Sequence, residues 1–175
     1  IYLNAFSHTQ TQLEATCKKL ENNNHKYFLA GYASSLSVLA NYAIDNGYKI
    51  RLNGIISLGD KLFDHYKKNI THAFSSKIYD TYGSNEGFMI AAQDDLEAYY
   101  ILSPHVYLEI LDDQGNEVED GKMGNIVVTR LDCYSMPLIR YKIGDLGIKL
   151  PKDKYPKHRK YNYPLLQQIV GRETD

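Results

Sequence analysis

Apolar positions in the first half of the chain recur at helical spacing, broken by short apolar runs. Leu13, Cys17 and Leu20 mark a first helix, with Thr11 and Glu14 placed as a capping box. Asn22, Asn23 and Asn24 end it, and Tyr27 to Ala30 forms a short strand. Leu36, Leu39, Ala40 and Ala43 mark a second helix, capped by Ser34 or Ser35 and closed by Asn46-Gly47. Gly54 to Leu58 is a compact apolar run, the pattern of a buried strand. Asp60 is placed to cap a third helix carrying Leu62, Phe63, Tyr66 and Ile70, and Lys77 to Tyr79 is a further strand. Strands alternating with helices imply crossovers and a parallel sheet.

The second half follows a different rule. Tyr99 to Leu102, His105 to Leu111, Asn125 to Arg130, Leu138 to Lys142 and Leu166 to Val170 read as strands. Turn chemistry joins them, in Asp112-Asp113-Gln114-Gly115-Asn116, Glu119-Asp120-Gly121 and Gly144-Asp145. Val106, Leu108 and Ile110 alternate with Tyr107, Glu109 and Leu111, as in an antiparallel sheet with one drier face. The change falls near Gln93 to Ala98. The expected fold class is therefore α/β: an α/β part over residues 1–95, then a mostly antiparallel sheet or distorted barrel over 96–175.

Composition narrows the function classes. The chain has 175 residues and a formal net charge of -1, so a polybasic nucleic-acid binder is not expected. No apolar run approaches the roughly 20 residues of a membrane-spanning helix. Cys17 and Cys133 are too few and too far apart for a disulfide framework or a zinc site, and a reducing, cytoplasmic compartment is expected. The six His show no metalloprotease spacing. The chain opens on Ile1 within structured sequence and stops after a Gly-Arg turn, so a fragment of a longer protein is expected. Such a fragment would leave an apolar face uncovered, with self-association as a possible consequence.

Three stretches carry chemistry. Tyr79-Asp80-Thr81-Tyr82-Gly83-Ser84-Asn85-Glu86-Gly87 follows a strand, where open α/β sheets bind ligands. It offers an aromatic face, a glycine for close approach, two neutral hydrogen-bonding side chains and a carboxylate suited to Mg²⁺. Met136 to Gly147 ends a strand in Gly144-Asp145, where a carboxylate can accept from a ribose diol. Gly171-Arg172 closes the set with a cation for phosphate or ribose. Each alone is also an ordinary turn or a surface residue.

In this order the stretches resemble the core motifs of the acyl-adenylate-forming superfamily, and most nearly its branch of phenylacetate–CoA ligases, capsular polysaccharide biosynthesis proteins and coenzyme F390 synthetases. Tyr82-Gly83-Ser84-Asn85-Glu86 resembles the aromatic-Gly-x-Thr-Glu motif. Pro137-Leu138-Ile139-Arg140-Tyr141 through Gly144-Asp145 resembles Pro-x-x-Arg-Tyr-x-x-Gly-Asp, and Gly171-Arg172-Glu173-Thr174-Asp175 resembles the hinge motif. Gly59-Asp60, Gly31-Tyr32-Ala33-Ser34 and the Gly121 to Thr129 strand also match family elements.

The resemblance implies an AMP-forming carboxylate–CoA ligase that uses ATP, Mg²⁺ and coenzyme A on a small-molecule carboxylate. Tyr82 would stack on adenine, with Gly83 and Ser84 beside the nucleotide. Glu86 would coordinate Mg²⁺, Asn85 would face the α-phosphate and Asp145 would hold the ribose hydroxyls. Arg172 would bind ribose or phosphate, Gly59 and Asp60 would line the adenine pocket, and Thr174 would sit at the hinge. The family's phosphate loop and lysine-bearing lid have no counterpart here, so the chain alone is expected to be inactive. Asn85 and Ile143 replace usual threonines, Thr174 a usual aspartate and Asn125 a usual glutamate. Those departures motivate a second reading, a nucleotide-binding or scaffolding relative without catalysis.

Overall fold

The computed structural model describes residues 8–23 and 26–173, so Thr174, the expected hinge residue, lies outside the described residues. The chain is mixed α/β and divides into two compact units, residues 1–81 and 82–175. That division and the pattern change at 93–98 fall at different places. Periodicity records how strands are connected, whereas compactness records what packs on what.

The first unit opens with helix α1, Gln10–Glu21, whose capping box is Thr9 and Gln12, not Thr11 and Glu14. The Thr9 hydroxyl accepts from Gln12 N–H at 3.3 Å, and the Gln12 side chain accepts from Thr9 N–H at 3.1 Å. The box lies two residues earlier than expected because a glutamine carbonyl serves as well as a carboxylate. Strand β1 is Phe28–Gly31, helix α2 Ala33–Asp45 and strand β2 Gly54–Ser57. Helix α3 is Asp64–Phe74 and strand β3 Ile78–Ser84, with Ile78 to Thr81 in this unit. β1 pairs with β2, and β2 with β3, both parallel, as helical crossovers require. Cys17, Leu20, Leu39, Ile55, Ile70 and Phe74 form the centre of its core.

Helix α3 starts later than the apolar pattern suggested. Its N-cap is Phe63, so Leu62 and Phe63 precede the helix and Asp60 does not cap it. Asp60 instead serves α2. Its two carboxylate oxygens accept the N–H groups of Ala33 and Ser34, the latter at 3.0 Å. Ser34 and Ser35 are therefore inside α2, whose N-cap is Tyr32 with no side-chain cap of its own. A helix start leaves N–H groups unpaired, and the carboxylate both accepts from them and favours the positive end of the helix dipole.

The second unit contains β4, Phe88–Ala92, which the apolar pattern did not reveal, and β5, Tyr99–Ile101. Then follow β6, Val106–Leu111, β7, Met123–Arg130, β8, Tyr141–Lys149, and β9, Leu165–Arg172. Every pairing is antiparallel: β4 with β5, β5 with β9, β9 with β8, β8 with β7 and β7 with β6. Among the described residues no pairing joins β4 to β6, so the sheet is open and not a closed barrel. β8 begins three residues later than expected because Arg140 takes a left-handed conformation, φ 47°, and ends the approach to the strand.

Residues 151–164 are a pinned loop. Asp95 accepts from the Tyr100 hydroxyl at 2.7 Å and from Lys160 N–H at 3.0 Å, and Asp94 accepts from the Lys160 ammonium at 2.7 Å. The Tyr161 ring meets Tyr100 edge-on. The Lys160 charge is thus paired with Asp94.

Candidate functional site

The stretch Tyr82 to Gly87 is the end of β3 and the turn into β4. Gly87 N–H donates to Ser84 C=O at 3.0 Å and closes the turn, with Gly87 at φ 86°. That is a left-handed conformation which glycine adopts without steric cost. The turn presents Glu86 and leaves Asn85 exposed. Gly83 lets the two strands approach, since a Cβ there would lie 3.1 Å from the Phe88 carbonyl oxygen.

Tyr82 is 8% exposed, packed in the core of the second unit with Ile90, Ala91 and Ile101. A buried phenol needs a partner for its hydroxyl. Tyr82 donates to Asp145 Oδ2 at 2.7 Å. Burial raises the Tyr82 pKa, and the bond to the Asp145 carboxylate raises it further, so the phenol stays a donor. The other oxygen, Asp145 Oδ1, pairs with Arg172 Nε at 3.2 Å. Asp145 and Arg172 are register partners across β8 and β9, which explains their meeting. Arg172 also reaches the Ile143 carbonyl at 3.4 Å. Gly144, beside Asp145, takes φ 89°, a left-handed conformation that glycine adopts without steric cost.

Glu86 is held from two sides. The Ser84 hydroxyl donates to Oε2, and the Tyr141 hydroxyl donates to Oε1 at 2.7 Å. The Ser84 hydroxyl bond, then the Tyr141 hydroxyl bond, hold the Glu86 carboxyl below its ordinary range, with a smaller pull from the Arg172 charge. The Tyr141 phenol is raised in turn by its bond to the Glu86 carboxylate.

The second unit therefore brings Tyr82, Asp145 and Arg172 into one bonded group, and Ser84, Glu86 and Tyr141 into another. Arg172 acts electrostatically on both. Asp60 and Gly59 belong to the first unit. There Gly59, at φ 82°, lies under the Tyr32 ring, which a Cβ would meet at 2.3 Å. Asp60 is bound by the start of α2. Two features escaped sequence reasoning: the Tyr141 contact, and the use of the Ser84 hydroxyl on Glu86. The available signal for Tyr141 was spacing, since it precedes Asp145 by the interval that separates Tyr82 from Glu86. His105, exposed beside β6, pairs with Asp132 at 3.1 Å and joins neither group.

Among the described residues no three His, Cys, Asp or Glu side chains form a metal cage. Mg²⁺ is ordinarily held by one or two carboxylates with substrate phosphates and water. A half-buried Glu86 on a turn, its carboxyl held below the ordinary range, fits that kind of site.

No family model matches the chain. It is 26% identical to protein CapK of Staphylococcus aureus over its whole length, covering 37% of that protein. It is 29% identical to phenylacetate-coenzyme A ligase of Pseudomonas putida over 117 residues, 64% of this chain and 25% of the ligase. The crystal structure of 2-hydroxyisobutyryl-CoA ligase in its postadenylation state matches 97% of the chain with a TM-score of 0.82 and 26% identity. The two relatives and this structural neighbour support the acyl-adenylate-forming superfamily for the chain. It spans about a quarter to three eighths of the length of these relatives. Amide bond synthetase McbA of Marinactinospora thermotolerans, at 20% identity and TM-score 0.64, shares the fold.

Proposed function

We propose that this chain is the ribose- and metal-holding part of an AMP-forming carboxylate–CoA ligase. The observation that carries the reading is the pair of held carboxylates in the second unit, Asp145 on Tyr82 and Arg172, and Glu86 on Ser84 and Tyr141. Support comes from the related 2-hydroxyisobutyryl-CoA ligase, crystallised with its acyl-AMP and CoA.

In the proposed reaction a carboxylate oxygen attacks the α-phosphorus of ATP, and the bond to the bridging oxygen breaks. Pyrophosphate leaves with that electron pair. A thiol, CoA in this reading, then attacks the acyl carbon and AMP leaves. Asp145 accepts from the ribose hydroxyls, and its charge makes each such bond stronger than a neutral one. Arg172 lies beside it to meet ribose or phosphate. Asn85, exposed on the turn, donates its amide toward the α-phosphate. Gly59 and Asp60 are proposed for the adenine pocket from the first unit, and Tyr82, Gly83 and Ser84 as nucleotide-binding residues from the second. Mg²⁺ held by Glu86 would neutralise charge on the phosphates as the α-phosphorus reacts. Thr174 is proposed at the hinge. No helix among the described residues is long and apolar enough to cross a membrane, and a cytoplasmic enzyme is part of this reading.

The replacement of threonine by Asn85 favours a second reading, a nucleotide binder without catalysis. One experiment separates them: ATP–pyrophosphate exchange with a panel of carboxylates, using the full reading frame that contains this chain. Wild-type exchange that falls in Glu86→Gln and Asp145→Ala supports the ligase. Exchange absent in the wild type while ATP still binds supports the binder. Wild-type exchange in both variants removes the site.

A further inference from the structure

Two segments of the second unit share a pattern: Tyr82-Gly83-Ser84-Asn85-Glu86 and Tyr141-Lys142-Ile143-Gly144-Asp145. Each begins with a tyrosine and ends with an acid at the same interval. The structure sets them against each other crosswise. The tyrosine of the first donates to the acid of the second at 2.7 Å, and the tyrosine of the second donates to the acid of the first at 2.7 Å.

We infer that Tyr141 and Tyr82 are positioning residues, joined in a reciprocal clasp in which Tyr141 sets Glu86 for the metal and Tyr82 sets Asp145 for the ribose. The inference rests on the ligase reading above and deepens it. Neither hydroxyl is assigned to a reacting atom; each acts through a carboxylate.

The clasp solves a physical problem. Two carboxylates serving one nucleotide repel each other and are free to rotate about their side-chain torsions. A phenol fixed by its ring and bonded to one oxygen removes that freedom without adding charge. The second oxygen of each acid then has its own holder, Arg172 for Asp145 and Ser84 for Glu86. Arg172 is the shared cation, acting on Tyr82, Glu86 and Tyr141 as well as pairing with Asp145. The two tyrosines differ in setting. Tyr82 is part of the core, whereas Tyr141 is partly buried against it. Removing the Tyr141 hydroxyl therefore leaves ring packing largely intact and isolates the bond to Glu86.

The clasp predicts a split that a general structural role does not. Tyr141→Phe should weaken metal binding about 10- to 100-fold, the range for groups that orient a metal ligand. It should leave the ATP KM at saturating metal within about twofold, about 0.4 kcal/mol by the usual conversion. Tyr82→Phe should raise the ATP KM and leave the metal requirement in place.

The test uses the full reading frame containing this chain. Mn²⁺ binding is followed by the EPR signal of the free ion with a non-hydrolysable ATP analogue, alongside the ATP KM and the Mg²⁺ dependence of exchange. Tyr141→His, which keeps an N–H donor, should recover part of the Mn²⁺ affinity. Urea midpoints of all variants check that each is folded. Tyr141→Phe binding Mn²⁺ as the wild type does, while Glu86→Gln does not, overturns the clasp and leaves the ligase reading standing. Both tyrosine variants losing metal and ATP binding in parallel with a lowered urea midpoint also overturns it, since that is a folding role. Glu86→Gln and Asp145→Ala both behaving as wild type overturns the ligase reading, and the clasp falls with it.

Discussion

Residues 1–81 and residues 82–175 each contain carboxylates that the sequence marks as functional, and the two regions hold them differently. In the first, Asp60 is bound by the backbone: Ala33 and Ser34 N–H groups at the start of α2 occupy its two oxygens. In the second, Asp145 and Glu86 are bound by the side chains of Tyr82, Arg172, Ser84 and Tyr141. A carboxylate that completes a helix end is part of the scaffold, because releasing it leaves N–H groups unpaired. A carboxylate held by side chains can exchange one donor for a ligand hydroxyl or a cation. What grips an acidic residue decides, as much as its place in a motif, whether it serves the scaffold or a ligand.

The largest expected effect concerns scaffold alone. Phe74 is fully buried in the first unit, so Phe74→Ala should lower stability by about 3–5 kcal/mol. Urea denaturation measures this, and a smaller loss would mean that the first region is loosely packed.

Next is the exchangeable carboxylate. Asp145→Asn keeps an acceptor for the Tyr82 hydroxyl and removes the charge. ATP affinity should fall by about 1.5–3 kcal/mol, the value of hydrogen bonds to a charged group, while the urea midpoint moves little. Calorimetric titration with ATP and denaturation on the same protein decide it. Stability lost with affinity kept would make Asp145 scaffold, like Asp60.

Asp60→Ala tests the other side. It should lower stability by about 1–2 kcal/mol through the lost cap on α2, and Asp60→Asn should recover much of it. An unchanged midpoint with weakened ATP binding would move Asp60 to the exchangeable class, as its proposed adenine-pocket role requires.

The smallest effects are those of pH, and they concern the second region. The Tyr82 pKa is raised in the folded state, so its stabilisation is complete below the unfolded tyrosine value of about 10 and lost as pH rises above it. Tyr82→Phe should flatten the alkaline limb of the stability profile. The Glu86 pKa is lowered, so its stabilisation is complete above the unfolded value of about 4.3 and lost as pH falls through the folded one. Glu86→Gln should flatten the acid limb slightly. Urea midpoints across pH measure both.

Much of the fold was legible because burial imposes periods on the chain. The helical spacing of Leu36, Leu39, Ala40 and Ala43 marked α2, and its expected close at Asn46-Gly47 is where the helix ends. Alternation at Val106, Leu108 and Ile110 marked β6, in which all three are buried. β4 was missed because the run Phe88 to Ala92 is short and lacks clean alternation: Ile90 and Ala91 are both buried. Ile143 stands where threonine is usual, and the structure accounts for it: the side chain packs against the core of the second unit while its carbonyl accepts from Arg172.

What the sequence by itself determined was the kind of chemistry and the local elements. Residue types, turn glycines and motif order depend on neighbours along the chain, and they are written there. What only the tertiary structure decided was which group grips which carboxylate. Asp60 appeared ready to cap the helix that follows it, and it caps the helix that precedes it. Tyr141 appeared to be one letter of a motif, and it holds Glu86 from another strand. A hydrogen bond is set by a distance of about 3 Å and an angle, and residues 55 positions apart reach that geometry only when the sheet has brought their strands together.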